Sequence, residues 1–115
     1  MELHEFQDEF DKTLHNHLEA GRRYAEAKRM SWYLQEMKKV MLAKMMSKFE
    51  GSEASRERQA LVSEEYKNHI KGTAEALHNE LVAEVEYENL DKEFEKMRSL
   101  CSLEKKQMGI LWIIH

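Results

Sequence analysis

Proline is absent from the 115 residues, and glycine occurs only at Gly21, Gly51, Gly72 and Gly109. Proline breaks a helix interior, and glycine weakens one by about 1 kcal/mol per site. A chain this poor in both, and rich in Glu, Lys, Ala, Leu and Met, is expected to be all-α. Only one cysteine is present, Cys101. It excludes an internal disulfide and fits a reducing, cytoplasmic setting. Long apolar runs are missing as well. The strongest, Gly109 to His115, falls far short of the roughly 20 residues that cross a bilayer, so no membrane association is expected. Glu2, Glu5, Asp8, Glu9, Asp11 and Glu19 exclude a secretory signal at the start. There is no glycine-rich phosphate loop, no cysteine ligand set and no Ser/His/Asp arrangement. Nothing in the chain suggests catalysis or a cofactor, and an enzyme is not expected.

What is present is helical periodicity. Leu3, Phe6, Phe10, Leu14 and Leu18 form one apolar stripe. A second runs through Tyr24, Ala27, Met30, Leu34, Met37, Met41, Met45 and Phe49. A third joins Tyr66, Ile70, Thr73, Leu77 and Leu81 to Ala83, Tyr87, Leu90, Phe94, Met97 and Cys101, with a register shift near Leu81. Such a shift argues against a strict left-handed coiled coil over the whole length. Gly51 suits a helix C-cap, while Ser52 and Ser63 suit N-caps. These signals predict one helical domain over 1–115. Its parts are an acidic N-terminal helix over 1–20 with a bend at Gly21, and a basic helix over 22–50. A break with a short helix follows over 51–63, then a long helix over 64–108 and an apolar tail over 109–115. The two long helices should form an antiparallel, coiled-coil-like hairpin. A hairpin has no closed core, so a homo-oligomer is expected. Met41, Met45, Phe94, Met97, Leu111, Trp112 and Ile113 are its candidate contacts.

Net charge is −4, which disfavours a polyanionic partner, but the charge is unevenly spread. Residues 1–20 hold six acids and one base, whereas residues 21–50 hold eight bases and three acids. Those bases are Arg22, Arg23, Lys28, Arg29, Lys38, Lys39, Lys44 and Lys48, with Trp32 and Tyr33 among them. Cations that track phosphates, interleaved with rings that stack on bases, are what a single strand requires. A solvated helix face with partly buried rings accounts for the same residues. Arg98, Lys105 and Lys106 form a second basic cluster. It reads either as a further phosphate contact or as cations near a helix C-terminus. Glu75 and His78 have the Glu-x-x-His spacing of di-iron bundles, but such a site needs two motifs and two more glutamates. No metal is expected.

Several segments of the middle of the chain resemble a known family. They are Tyr24-Ala25-Glu26-Ala27-Lys28-Arg29, Tyr33-Leu34-Gln35-Glu36-Met37-Lys38-Lys39 and Glu50-Gly51-Ser52. Glu57-Arg58-Gln59-Ala60, Glu65-Tyr66-Lys67 and Met97-Arg98-Ser99 continue the likeness. Together they are similar to the recombination mediators of T4-type phages, over residues 22 to 108. The resemblance implies binding to single-stranded DNA in a bacterial host cell, a ring-like homo-oligomer, and loading of a recombinase onto DNA coated by single-stranded-DNA-binding protein. The acidic start and the apolar end Ile110-Leu111-Trp112-Ile113-Ile114 depart from it. An alternative that needs no DNA is a helical scaffold or adaptor working through protein contacts only.

Overall fold

In a computed structural model of the chain, residues 2–114 are described, with side chains up to residue 107. Three helices and no strand are found among the described residues: α1 (Leu3–Met46), α2 (Glu53–Leu61) and α3 (Glu64–Ile114). The protein is all-helical. The turns between helices follow from local chemistry. After Met46 the backbone tightens, with Lys48 and Phe49 amides donating to the Met45 and Met46 carbonyls. Gly51 then takes φ 118°, a region costly for any residue with a Cβ. Ser52 caps α2 by accepting the Ser55 amide at 3.2 Å. Ser63 both donates to the Ala60 carbonyl and accepts the Tyr66 amide, closing α2 and opening α3 with one hydroxyl.

No helix end falls at Gly21, because α1 runs unbroken from Leu3 to Met46. Gly21 faces Tyr87, and a Cβ there would meet Cε2 of that ring at 3.4 Å, an ordinary van der Waals distance. Likewise α3 does not end at residue 108 but continues to Ile114. A lone glycine such as Gly109, with no proline behind it, costs about 1 kcal/mol and does not stop a helix.

The chain divides into two compact units, one of Met1–Arg23 with Glu84–His115 and one of Tyr24–Ala83. In the first, α1 and α3 pack antiparallel: Phe10 lies against Phe94 and His17 against Asp91, while Arg23 pairs with Glu86. The His17 ring stacks on both Tyr87 and Phe94, at centroid distances of 5.2 and 5.0 Å. In the second unit the helices are again antiparallel. Ser31 donates to Glu80, and the His69 ring meets the Leu34 carbonyl at 2.9 Å. Met45, Ala60 and Tyr66 close a small core there, with Met41, Leu42, Met46 and Phe49 packed on it.

The inner positions follow a seven-residue repeat more closely than the apolar residues do. On α1 they are Phe6, Phe10, Thr13, His17 and Ala20 in the first unit, and Tyr24, Ala27, Ser31, Leu34, Met41 and Met45 in the second, with Leu14 and Met37 half-buried beside them. On α3 they step by threes and fours from Tyr66 through His69, Thr73, Ala76 and Glu80 to Ala83. In the first unit they run through Tyr87, Leu90, Phe94, Met97 and Cys101. This is the spacing of a coiled-coil seam. Leu18 and Met30, expected inside, are exposed, while Ser31 is buried in place of Met30. The register shift read at Leu81 has the same origin, since Ile70, Leu77 and Leu81 lie outside the seam.

Two glycine substitutions separate these roles. Nothing lies within 4 Å of a Cβ at Gly72, so Gly72→Ala is expected to raise the unfolding free energy by about 1 kcal/mol. Gly51→Ala is expected to lower it by about 1–2 kcal/mol, because φ must stay positive. Thermal or urea unfolding of the two variants should shift in opposite directions.

Candidate nucleic-acid interface

The two units differ in charge. Met1–Arg23 with Glu84–His115 holds eight bases and thirteen acids, whereas Tyr24–Ala83 holds ten bases and nine acids. A polyanion is repelled by the first and tolerated by the second. The candidate cations are split between them. Arg22, Arg23, Arg98, Lys105 and Lys106 belong to the acidic unit, and Lys28, Arg29, Lys38, Lys39, Lys44 and Lys48 to the other.

Their partners divide them further. Arg22 pairs with Glu19 at 3.1 Å, Arg23 with Glu86 at 2.6 Å and Arg98 with Glu95 at 3.1 Å. Arg29 pairs with Glu26 one turn before it. The hydrogen bond from Arg29, then its charge, holds the Glu26 carboxyl below the usual carboxylate range, and Glu26 raises the Arg29 guanidinium in return. Lys28 sits over the Tyr24 ring, 5.8 Å from its centroid. By contrast, Lys38, Lys39, Lys44 and Lys48 are exposed, and among the described residues none has a carboxylate partner.

Helix spacing puts the rings in line with Lys39, Lys44 and Lys48, while Lys38 borders the trough beside α3. Residues three or four apart on a helix share a face. Lys28 and Trp32 are four apart, and Lys39 follows Trp32 by two turns. Tyr33 begins a neighbouring row that continues through Met37 and Val40 to Lys44 and Lys48. Trp32 is 62% exposed and Tyr33 50%, so both rings present faces to solvent. Exposed indole and phenol rings flanked by cations can stack on unpaired bases while the cations contact phosphates.

Four cations of the same unit escaped the sequence reading: Arg56, Arg58, Lys67 and Lys71. They alternate with glutamates, so regional charge balance conceals them. Arg56 has a buried Nε with no hydrogen-bond partner, and Arg58 donates weakly to the Ala54 carbonyl at 3.4 Å.

The candidate oligomer contacts are largely used within the chain. Met45 is 2% exposed inside the Met45–Ala60–Tyr66 core, and Met41 packs on that core. Phe94 stacks on His17, and Met97 is half-buried in the seam. As contacts of a homo-oligomer they would face a second copy, whereas these four pack within the chain. The side chains of Leu111, Trp112 and Ile113 lie outside the described residues. His78, of the Glu-x-x-His pair, is exposed, and His69 is held by the Leu34 carbonyl. The described ligand atoms that converge belong to Glu2, His4 and Glu5, all exposed in the first turns of the chain. No described helix is long and apolar enough to cross a membrane.

No family model matches the chain, and neither a curated protein nor a solved structure matches it.

Proposed function

We propose that this chain is an accessory protein of phage-type DNA recombination that holds single-stranded DNA on exposed cations and rings of α1 within Tyr24–Ala83 and assists recombinase loading in the host cytoplasm. One observation carries the DNA-binding part: Lys38, Lys39, Lys44 and Lys48 are exposed and lack carboxylate partners on the same stretch that exposes Trp32 and Tyr33. Recombinase loading, and a single-stranded-DNA-binding protein as a further partner, come from the resemblance of residues 22 to 108 to the phage mediators. The role requires no catalytic group and no cofactor.

The interaction is electrostatic and stacking in kind. Phosphates displace counterions from lysines that have no competing carboxylate, and bases stack on the two rings without sequence preference. Each copy offers few contacts, so affinity grows when several copies engage one strand. The test is fluorescence anisotropy of a labelled single-stranded oligonucleotide at two salt concentrations. Salt-dependent binding without sequence preference is expected; no binding at low salt rejects the proposal.

The ion pairs give a second measurement. Glu26→Gln releases Arg29, so single-strand affinity is expected to rise about fivefold at 0.1 M salt, with a salt slope steeper by about 0.7. An unchanged slope would mean that Arg29 lies off the DNA path.

One set of observations favours a scaffold or adaptor instead. The total charge is −4, and Arg22, Arg23 and Arg29 are already engaged by glutamates. Exposed pairs are worth only about 0–1 kcal/mol, so a phosphate can displace them. The four free lysines tip the balance towards DNA.

A further inference from the structure

The seam accounts for the inner side of α3 but not for its bulkiest apolar residues. Ile70, Leu77 and Leu81 are 39%, 38% and 60% exposed, and Ala74 between them is exposed too. Each stands one residue beyond an inner position: His69, Thr73, Ala76 or Glu80. At about 100° per residue, their row faces roughly a quarter-turn away from the seam with α1. The row is therefore only partly covered by α1. Ile70, Ala74 and Leu77 form one wall of a trough whose other wall is Gln35 and Lys38 of α1. Exposed apolar rows of this kind mark interaction sites.

The spacing of the row identifies its occupant. Lys67 precedes Ile70 by three residues and Glu84 follows Leu81 by three. The steps from Lys67 through Ile70, Ala74, Leu77 and Leu81 to Glu84 are thus three, four, three, four and three, the same read from either end. A helix row with this alternation is a coiled-coil seam awaiting a second helix. One that is symmetric about its own centre fits a copy of itself turned end for end.

We propose that two copies of this chain pair through this row of α3, antiparallel about a twofold axis that passes between Ala74 and Leu77. Ile70 then packs against Leu81 of the second copy, and Ala74 against Leu77 of the second copy. The small alanine opposite the larger leucine keeps the spacing even along the contact. Charge follows the same symmetry, with Lys67 facing Glu84 of the second copy at both ends. Among the described residues neither Lys67 nor Glu84 makes an ion pair. Seventeen residues apart on one helix, they cannot meet within a single copy. The contact is isologous, so it closes at two copies and leaves no row over for a filament. It uses α3, and of the lysines and rings proposed to hold DNA only Lys38 lines the trough beside the row. Lys39, Lys44, Lys48, Trp32 and Tyr33 are not among its lining residues, so the two proposals are tested separately through them.

The experiment is sedimentation equilibrium of the full chain without DNA, over a range of concentrations, with circular dichroism to check helicity. A concentration-dependent dimer is expected. Leu77→Glu should raise its dissociation constant at least about tenfold, because it places a charge at the centre of the apolar row. Lys67→Glu and Glu84→Lys should each weaken the dimer about fivefold, since each sets two like-charged pairs face to face. The double variant K67E/E84K restores opposite charges at both ends and should return to wild-type affinity. A monomer at every concentration, association untouched by Leu77→Glu, or a double variant no better than its singles overturns the proposal. Oligonucleotide anisotropy on the same samples shows separately whether DNA binding survives.

Discussion

Met45→Ala is expected to lower the unfolding free energy by about 2–5 kcal/mol, the range for truncating a buried methionine. Met45 is 2% exposed and touches the two residues that anchor the other helices, Ala60 of α2 and Tyr66 of α3. Ala60 beside it is fully buried and has no flexible side chain with which to fill the space left behind. Met41, Leu42, Met46 and Phe49 pack on the same cluster and lose contacts with it. Against a typical total of about 5–15 kcal/mol, this loss is large. Met30→Ala, on an exposed residue of the same helix, should cost no more than about 0.5 kcal/mol. Urea denaturation of the pair provides the comparison. Equal costs would mean that the two methionines do not occupy the inner and outer positions described.

Lys38→Gln with Lys39→Gln is expected to reduce the salt slope of single-strand binding by about 1.4, because each phosphate contact on a single strand contributes about 0.7. The same figure sets the affinity loss, about 25-fold at 0.1 M salt and vanishing towards 1 M. Glutamine is chosen because Lys38 borders the trough lined by Ile70, Thr73, Ala74 and Leu77, so a shorter side chain would also remove packing. Changing Lys105 and Lys106 to glutamine makes the control. Those lysines belong to the unit with thirteen acids, and the slope should stay within error of wild type. A loss shared equally by both pairs would point to diffuse attraction rather than a site on α1.

Much of this fold is legible in the sequence because it depends on local terms. The lack of proline, the caps at Ser52 and Ser63 and the φ tolerance of Gly51 act within a few residues of themselves. They place the break between α1 and α3 without knowledge of any distant contact. Gly21 misleads for the opposite reason. Its packing neighbour is Tyr87, far along the chain, and propensity alone cannot tell a helix end from a glycine carried inside a packed helix.

The candidate site is legible only in part. Charge and ring content single out residues 22–50, but every cation there looks alike in one dimension. The pairing of Arg23 with Glu86 requires a second helix alongside, and only this removes Arg23 from the free set. The pairing of Arg29 with Glu26 is local and could be anticipated from spacing, though a choice among the glutamates within reach could not.

The sequence by itself determined that the chain is helical, where its helices break, and that its bases gather on one helix, since composition, capping and charge count need no partner. Tertiary structure decided which residues off the apolar stripes face inward and which on them do not. The seam takes Thr13, His17, Ser31, His69 and Glu80, and leaves Met30, Ile70, Leu77 and Leu81 outside. The physical reason is that two antiparallel helices meet along a repeat of seven and fill it with whatever fits. Small side chains fit where they are close-packed, and polar ones fit where a partner such as Glu80 for Ser31 or Asp91 for His17 completes their hydrogen bonds.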